Sequence, residues 1–580
     1  MTTEQFIPVN IFTQCRSYNR SALSFCETST SSLKIWIYTI SDDPMGDRSK
    51  SLLNALIELS ELKVQPCLKF TLVQTIHHPI DQMIEYLKTL IKDESIYNSL
   101  HKEGILDLIE SFRCYMAYLY SDIFYALRDE VKSTSLSVKS YFIRKKQNTF
   151  SWYACYLALE QFSLLTCHQH MLYRGALKEQ WQHTHRLYWL AYQHQYENVE
   201  VYHLQDCICS QSEINSISIL YKQILLLHLL NTQQVRPSET YALYQCSSEW
   251  AHLLHVTTKK EHLSRYVIDH QTDLPPILII DHHTNIDDKG CFYINVNDLL
   301  QRVQLANAPT KRDLSMKEQL YLNSSLVFHI INTLNQSSER RYKRYNFTSS
   351  IQVCFGLKSV HYRLAQTILK HQNTLKKQAR YTKNTTKPLY ITPKDVLSSS
   401  NLDFDENIYT CHILDVSVNG YRIRWQGTPP QHLHAGEFLA VQENSQSPWR
   451  CGLIRWVKQL PNKDLEFGVE VLSQNITLCY IQQYNTILEK YIYNPALLLK
   501  KDILDQPCFF LAMPILDTLS TQKRLQLYIT NQTISVYIGH KELENPSFIL
   551  CNFDLLTIED QKKFNYLISG YDKLLKSVDL

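Results

Sequence analysis

Glycine is scarce in this chain, 12 of 580 residues. Glycine supplies the positive-φ and close-approach positions of tight strand turns, so so few of them exclude a chain built of hairpins throughout. Paired cysteines are missing too. The 16 Cys are scattered singly, and the close pair Cys207 and Cys209 has the spacing of neither a CxxC redox motif nor a zinc knuckle. That pattern predicts buried reduced thiols. Charge of one sign is also lacking: 59 basic against 56 acidic side chains leave a net charge of +3, too little to draw the whole molecule to a nucleic acid polymer or a membrane. Any anion site must be local. No apolar run approaches membrane-spanning length, and the opening MTTEQFIPVN has no basic and then apolar signal region. The expectation is a cytoplasmic protein without an integral membrane segment. There is no GxSxG, no GxxxxGK and no paired Cys/His spacing, so neither an activated nucleophile nor a nucleotide-hydrolysing loop is indicated. The chain is expected to be no enzyme and to carry no cofactor and no metal.

What is present is unevenly spread. Single cores stop growing at about 250 to 300 residues, so 580 residues must divide. Gly356, Gly420, Gly427, Gly436, Gly452 and Gly468 crowd into one stretch, where strand turns would use positive φ, whereas the chain before it is glycine-poor and rich in Leu and Tyr. The fold class is therefore multidomain α+β. A mainly helical region, 1–335, precedes an antiparallel β-barrel, 336–475, with a polar insertion at about 366–408, and a smaller β-rich unit with a helix, 476–580. Helical spacing marks 150–173, where Tyr153, Leu157, Gln161, Leu164 and Leu165 share a face, and also 178–194 and 216–230. Ser238 suits a helix N-cap. LKIWIYTI, 33–40, has the composition of a strand, and ITLCYIQQYNTILEKY, 476–491, that of a helix. PCFFLAMPI, KRLQLYIT, TISVYIGHK and SFILCNFDLL look like strands, closed by a helix near 558–577. The polar 366–408 stretch cannot bury a core and is expected as a long loop.

Two histidine patterns invite a metal. ILIIDHHTNIDD sets Asp281, His282 and His283 after an apolar run and looks like the Asp-His-His motif of metal-dependent phosphoesterases, but no upstream carboxylate constellation accompanies it. The HxH pairs at His168/His170, His183/His185 and His432/His434 have no third ligand arranged with them, and core or surface histidines account for them.

The stretch that carries chemistry is ILDVSVNGYRIRW, 413–425. Tyr421, Ile423 and Trp425 alternate with Arg422 and Arg424, which makes a half-buried strand, and Asn419-Gly420 supplies its turn. Upstream, Arg340 and Arg344 stand four apart before a strand in which Ile351, Val353 and Phe355 alternate. Downstream come WRCGLIRWVKQ and LEFGVEVL, the latter with Leu465, Phe467, Val469 and Val471 on one face. Four such segments predict a small barrel.

RxxxR, a DxSxxG turn at Asp415, Ser417 and Gly420, AGEFLAV, GLIRW and FGVEVL, in that order, resemble the PilZ domain, a bacterial cyclic di-GMP receptor family. The resemblance covers 338 to about 475, and the N-terminal part more loosely resembles helical regions attached to PilZ domains. It implies a cyclic di-GMP site of Arg340, Arg344, Asp415, Ser417 and Gly420. The chemistry suits the ligand, which presents two phosphodiesters and two guanines. Arginines can fork onto a phosphate or a guanine edge, and Asp415 can accept from guanine N1–H and N2–H₂. Ser417 can bond base or phosphate, and Gly420 lets backbone come close. Asp415 and Ser417 could instead merely cap the turn. Arg455 is expected to be structural, paired with an acidic neighbour. The implied function is a receptor that relays messenger level to a protein partner, through the helical region and a change of domain packing, in control of motility, pili, biofilm or virulence. The alternatives are a degenerate PilZ scaffold that binds no nucleotide and a metal phosphoesterase at Asp281, His282 and His283. The spacing from Arg344 to Asp415 exceeds what is usual in the family, because of the polar insertion.

Overall fold

The computed structural model describes residues 11–12, 19–92, 99–133, 138–200, 216–281, 290–306, 314–335, 344–379, 407–417, 419–430, 432–444, 447–485, 489–503, 506–516, 524–530 and 532–578. The chain forms two compact units, one of Met1–Thr232 with Pro237–Ser338, the other of Glu339–Leu580 with Gln233–Arg236. None of the described helices is long and apolar enough to cross a membrane.

The first unit is built from helices α1 (Thr30–Thr39), α2 (Met45–Glu61), α3 (Pro66–Lys92), α4 (Ser99–Ser133), α5 (Val138–Met171), α6 (Gln180–Gln193), α7 (Ile217–Leu229), α8 (Pro237–Trp250), α9 (Asn297–Ala306), α10 (Met316–Tyr321) and α11 (Ser324–Asn335). A small antiparallel sheet of β1 (His255–Thr257), β2 (Tyr266–Asp269), β3 (Ile277–Leu278) and β4 (Cys291–Asn295) sits among them, in the order β1-β4-β2-β3. LKIWIYTI is helical, not a strand. Ser29 caps α1 by accepting from Ser32 N, Leu33 is buried, and Ile35 and Tyr38 point to solvent. An apolar run this short fits either state, and the cap decides. Ser238 is not a cap, because Pro237 already occupies the first helical position, where its missing N–H costs nothing.

The helical core is threaded with polar contacts. Lys69 of α3 and Asp122 of α4 are 3% and 2% exposed, with Nζ and Oδ2 2.9 Å apart. Nearby, Arg113 donates to Asp81 and to the buried Gln161, and His77 bonds the Tyr120 hydroxyl.

In the second unit, β5 (Tyr345–Phe355), β6 (Tyr409–Ser417), β7 (Gly420–Trp425), β8 (Phe438–Gln442), β9 (Arg450–Gln459) and β10 (Leu465–Ser473) close into a six-stranded antiparallel barrel. Ile351, Val353, Phe355, Tyr421, Ile423, Trp425 and Phe467 are buried, as their alternation requires. After β5, Gly356 turns with φ +85° into α12 (Leu357–Ala379), so the first part of the polar insertion is helix rather than loop. Leu357, Val360, His361, Ala365 and Ile368 bury one face of α12, which polar composition alone concealed. Residues 380–406 lie outside the described set.

A second closed barrel follows, made of β11 (Asn475–Asn485), β12 (Lys490–Ile503), β13 (Gln506–Met513), β14 (Arg524–Ile529), β15 (Gln532–Glu544) and β16 (Ile549–Leu555), with α13 (Ile558–Val578) contributing Phe564 and Ile568 to its core. The helix expected at 476–491 is thus two strands. Ile476, Leu478 and Tyr480 face one apolar cluster while Cys479 and Ile481 face another, so the run is apolar on both sides and shows no period of two. The two barrels have the same connectivity. In each, the first strand pairs with the second and fourth, the third with the second and sixth, and the fifth with the fourth and sixth.

The barrels share one cluster, in which Phe438, Trp449, Cys451 and Leu453 meet Leu478, Tyr480, Leu497, Leu499 and Phe548, with α12 packed against it. His361 reaches across and bonds the Cys479 carbonyl oxygen through Nε2 at 3.0 Å. Polar groups edge the junction. Asn545 Nδ2 donates to Gly436 O at 2.7 Å, Ser547 donates to Glu437, and Arg236, which groups with this unit, donates to Ser547.

Two outcomes follow from this packing. Asp122→Asn removes the charge beside a buried ammonium and should cost about 3–5 kcal/mol, read as an earlier urea transition of the helical signal. Burial pushes the His361 imidazole down to about 4, against a smaller upward pull from its bond to Cys479. Unfolded chains take up that proton near 6.5, so the stability it confers is present above that pH and is lost as pH falls toward 4, on the order of 3 kcal/mol in all. Urea midpoints at pH 7 and pH 4.5 should therefore converge more in His361→Gln than in wild type.

Candidate functional site

The site lies on the outside of the first barrel. β6 and β7 are joined through Val418 and Asn419, with Ser417 paired to Gly420. Tyr345 pairs with Val416, so Arg344, one step earlier on the neighbouring strand, arrives beside Ser417. By simple alternation Asp415 would follow Cys411 and Ile413 into the barrel. A bulge between Ile413 and Asp415 in the pairing with β7 turns it toward the arginine-bearing face. There Arg344 Nη1 lies 2.7 Å from Asp415 Oδ1, and Arg422 Nη1 lies 3.6 Å from Oδ2. Asp415 is 7% exposed.

Arg422, beside its contact with Asp415, shares a second carboxylate with Arg424. Both donate to Glu466, at 2.5 and 2.6 Å. Burial alone would raise the Glu466 carboxyl, but the hydrogen bonds and charges of Arg424 and Arg422 hold it below its ordinary value. These two arginines therefore stay on the barrel wall.

Beside the turn is a cavity of about 340 Å³, lined by Arg344, Ser417, Asn419 and Gly420, then Arg455, Trp456, Gly468, Val469 and Glu470, and by Lys501 of the second barrel. Gly420 has no positive φ. It is needed because a Cβ there would lie 2.2 Å from Val469 O, and one on Gly468 would lie 2.1 Å from the Trp456 indole nitrogen. The close approach sequence reasoning assigned to ligand is made first to the adjoining strand. Ser417 Oγ donates to Gly420 O at 3.3 Å, closing the turn. Gly452, like Gly420 and Gly468, also lies within a strand, whereas Gly356, Gly427 and Gly436 hold the positive φ expected of turns.

Of the expected residues, Arg344, Ser417 and Gly420 line this cavity, and Asp415 adjoins it through Arg344. Arg340 lies outside the described residues. Arg455 pairs with Glu470, as expected, and also lines the cavity. Sequence reasoning missed Trp456, Glu470 and Lys501. Gly468 pairs with Trp456 and Val469 with Ile454, which leaves Arg455 as an extra residue in β9. The bulge sends Arg455 and Trp456 outward in succession, which no period of two foretells.

The histidine patterns resolve locally. His168 bonds Leu106 O, His170 the Thr232 hydroxyl, His183 the Phe12 carbonyl, and His185 both Tyr221 and Leu274 O. His434 faces Glu437. Asp281 ends a short 3₁₀ turn after β3, and His282 and His283 lie outside the described residues. Among the described residues no group of three His, Cys, Asp or Glu is placed to hold a metal.

Gly420→Ala should lower the melting temperature without any ligand present, because the new methyl meets backbone; a cost of about 1–3 kcal/mol is expected.

Known proteins match along most of the chain. The family model for the N-terminal domain of the cyclic-di-GMP receptor FimW matches residues 31–261, and the model for its middle PilZ domain matches 265–401 and 370–477. Cyclic-di-GMP receptor FimW of Pseudomonas aeruginosa is 19% identical over 518 residues, 82% of each chain. Two solved structures of MrkH, one described as a c-di-GMP-dependent transcription regulatory factor and one as the apo state from K. pneumonia, are 12% and 14% identical. They cover 29% and 30% of this chain and 81% and 85% of theirs, each with a TM-score of 0.14. With the two domain models following one another over the helical region and the first barrel, the chain belongs to the PilZ-containing family of cyclic-di-GMP receptors.

Proposed function

We propose that this chain is itself a receptor for cyclic di-GMP, that it binds the dinucleotide at the cavity beside the β6–β7 turn, and that it does no chemistry on it. Arg340 and Arg344 would take a phosphodiester or a guanine edge. Asp415 would accept from a guanine, Ser417 would bond base or phosphate, and Gly420 would keep the turn open to the ligand. The observation that carries this reading is the convergence of Arg344 with Ser417 and Gly420, a turn far from it in sequence, on one cavity in a barrel that matches the PilZ model.

The cavity's charge supports it. Three cations, Arg344, Arg455 and Lys501, face one carboxylate, Glu470, which suits a ligand with two phosphodiester charges. Because Arg344 is bonded to Asp415 in the free protein, a ligand that takes either group exchanges one ion pair for another. That exchange is the local event from which a change of packing among the helical region 1–335, the barrel 336–475 and the unit 476–580 would follow, relayed to a protein partner through the helical region.

Titration calorimetry of cyclic di-GMP tests the reading. Wild type should bind near micromolar, about 8 kcal/mol, and Arg344→Ala should weaken binding at least about tenfold, the loss of one bidentate contact of roughly 1–3 kcal/mol. No heat and no melting shift in wild type would overturn it.

A further inference from the structure

The second barrel repeats the connectivity of the first but lacks its ligand residues. No arginine pair precedes its first strand, which follows directly on β10, and its second and third strands are joined by Ile503-Leu504-Asp505-Gln506, with neither serine nor glycine. It does, however, send one side chain into the first barrel's cavity, that of Lys501.

How Lys501 gets there follows from strand geometry. Along β12, Leu497 and Leu499 turn to the cluster shared with the first barrel, while Ala496 and Leu498 turn to the second barrel's own core. Residue 501 continues the series 497, 499 and so projects to the same side, where the shared cluster ends and the cavity begins. The backbone is fixed just before it, since Ser473 Oγ of β10 donates to Lys500 O at 2.6 Å. The cavity's other cations are already matched, Arg344 to Asp415 and Arg455 to Glu470. Among the described residues no carboxylate is paired with Lys501, and its side chain is exposed.

We infer that Lys501 is a phosphate-binding residue of the cyclic di-GMP site, so that the ligand is held by both barrels and the second one completes the site of the first. This rests on the reading proposed above. An ammonium on a flexible stem suits a phosphodiester oxygen, for which it needs no fixed orientation, while the arginines take the planar contacts.

Calorimetry with cyclic di-GMP on the full chain decides it, comparing wild type, Arg344→Ala, Lys501→Ala, Lys501→Arg and, as a control, Lys490→Ala at the exposed far end of the same strand. Lys501→Ala should bind about tenfold more weakly, the effect of one charge-assisted hydrogen bond, and with a shallower dependence on salt. Lys501→Arg should recover most of the affinity, Lys490→Ala should match wild type, and the melting temperature of the free Lys501 variants should not move. Wild-type affinity in Lys501→Ala alongside weakened binding in Arg344→Ala would overturn this inference and leave the receptor reading standing. An absence of binding in wild type would overturn both.

Discussion

The second unit is organised by strands and a helix that are apolar where they meet each other. β11 and β12 bury one face in their own barrel and the other against Phe438, Trp449 and Leu453 of the first, with α12 laid along the seam. Apolar burial is non-directional, but a close-packed interior tolerates few alternative arrangements, so this shared cluster fixes one barrel against the other. The consequences reach the cavity. The register that sends Leu497 and Leu499 into the seam is the one that delivers Lys501 to its rim, and His361 and the Asn545–Gly436 bond hold in place the elements on either side.

The sequence was most legible where only one face is buried. Tyr421, Ile423 and Trp425 alternate with Arg422 and Arg424, and the strand is there; Asp415, Ser417 and Gly420 sit at fixed offsets, and the turn is there. It was least legible where both faces are buried. ITLCYI has only Thr477, itself buried, to mark its period, and its composition fits a helix as well as a strand with an apolar cluster on each side. The polar composition after residue 366 hid α12 for the opposite reason, since one narrow apolar stripe suffices to dock a helix. The repeated barrel left no trace in spacing, because two barrels can share strand pairings without sharing any motif.

Part of the site was written in motif and part in geometry. The bulges at Asp415 and Arg455 each reverse what alternation would predict, and each aims a charged side chain outward beside the cavity. Gly420 and Gly468 have their roles set by neighbours distant in sequence, a carbonyl and an indole, and a glycine count shows only that something must come close.

The bond between Arg344 and Asp415 has a quantitative side. In the free protein these two groups are each other's ligand, held at 2.7 Å with Asp415 largely shielded from water. Any incoming molecule that requires either of them competes with an intramolecular rival whose local concentration never falls, so its apparent affinity is the intrinsic one scaled by the fraction of chains in which the pair is open. For the site proposed above, such a pair would raise the concentration at which it half-fills without changing the shape of the binding curve, and because Arg344 is partly exposed, ionic strength and any neighbouring charge that loosens the pair would shift that concentration.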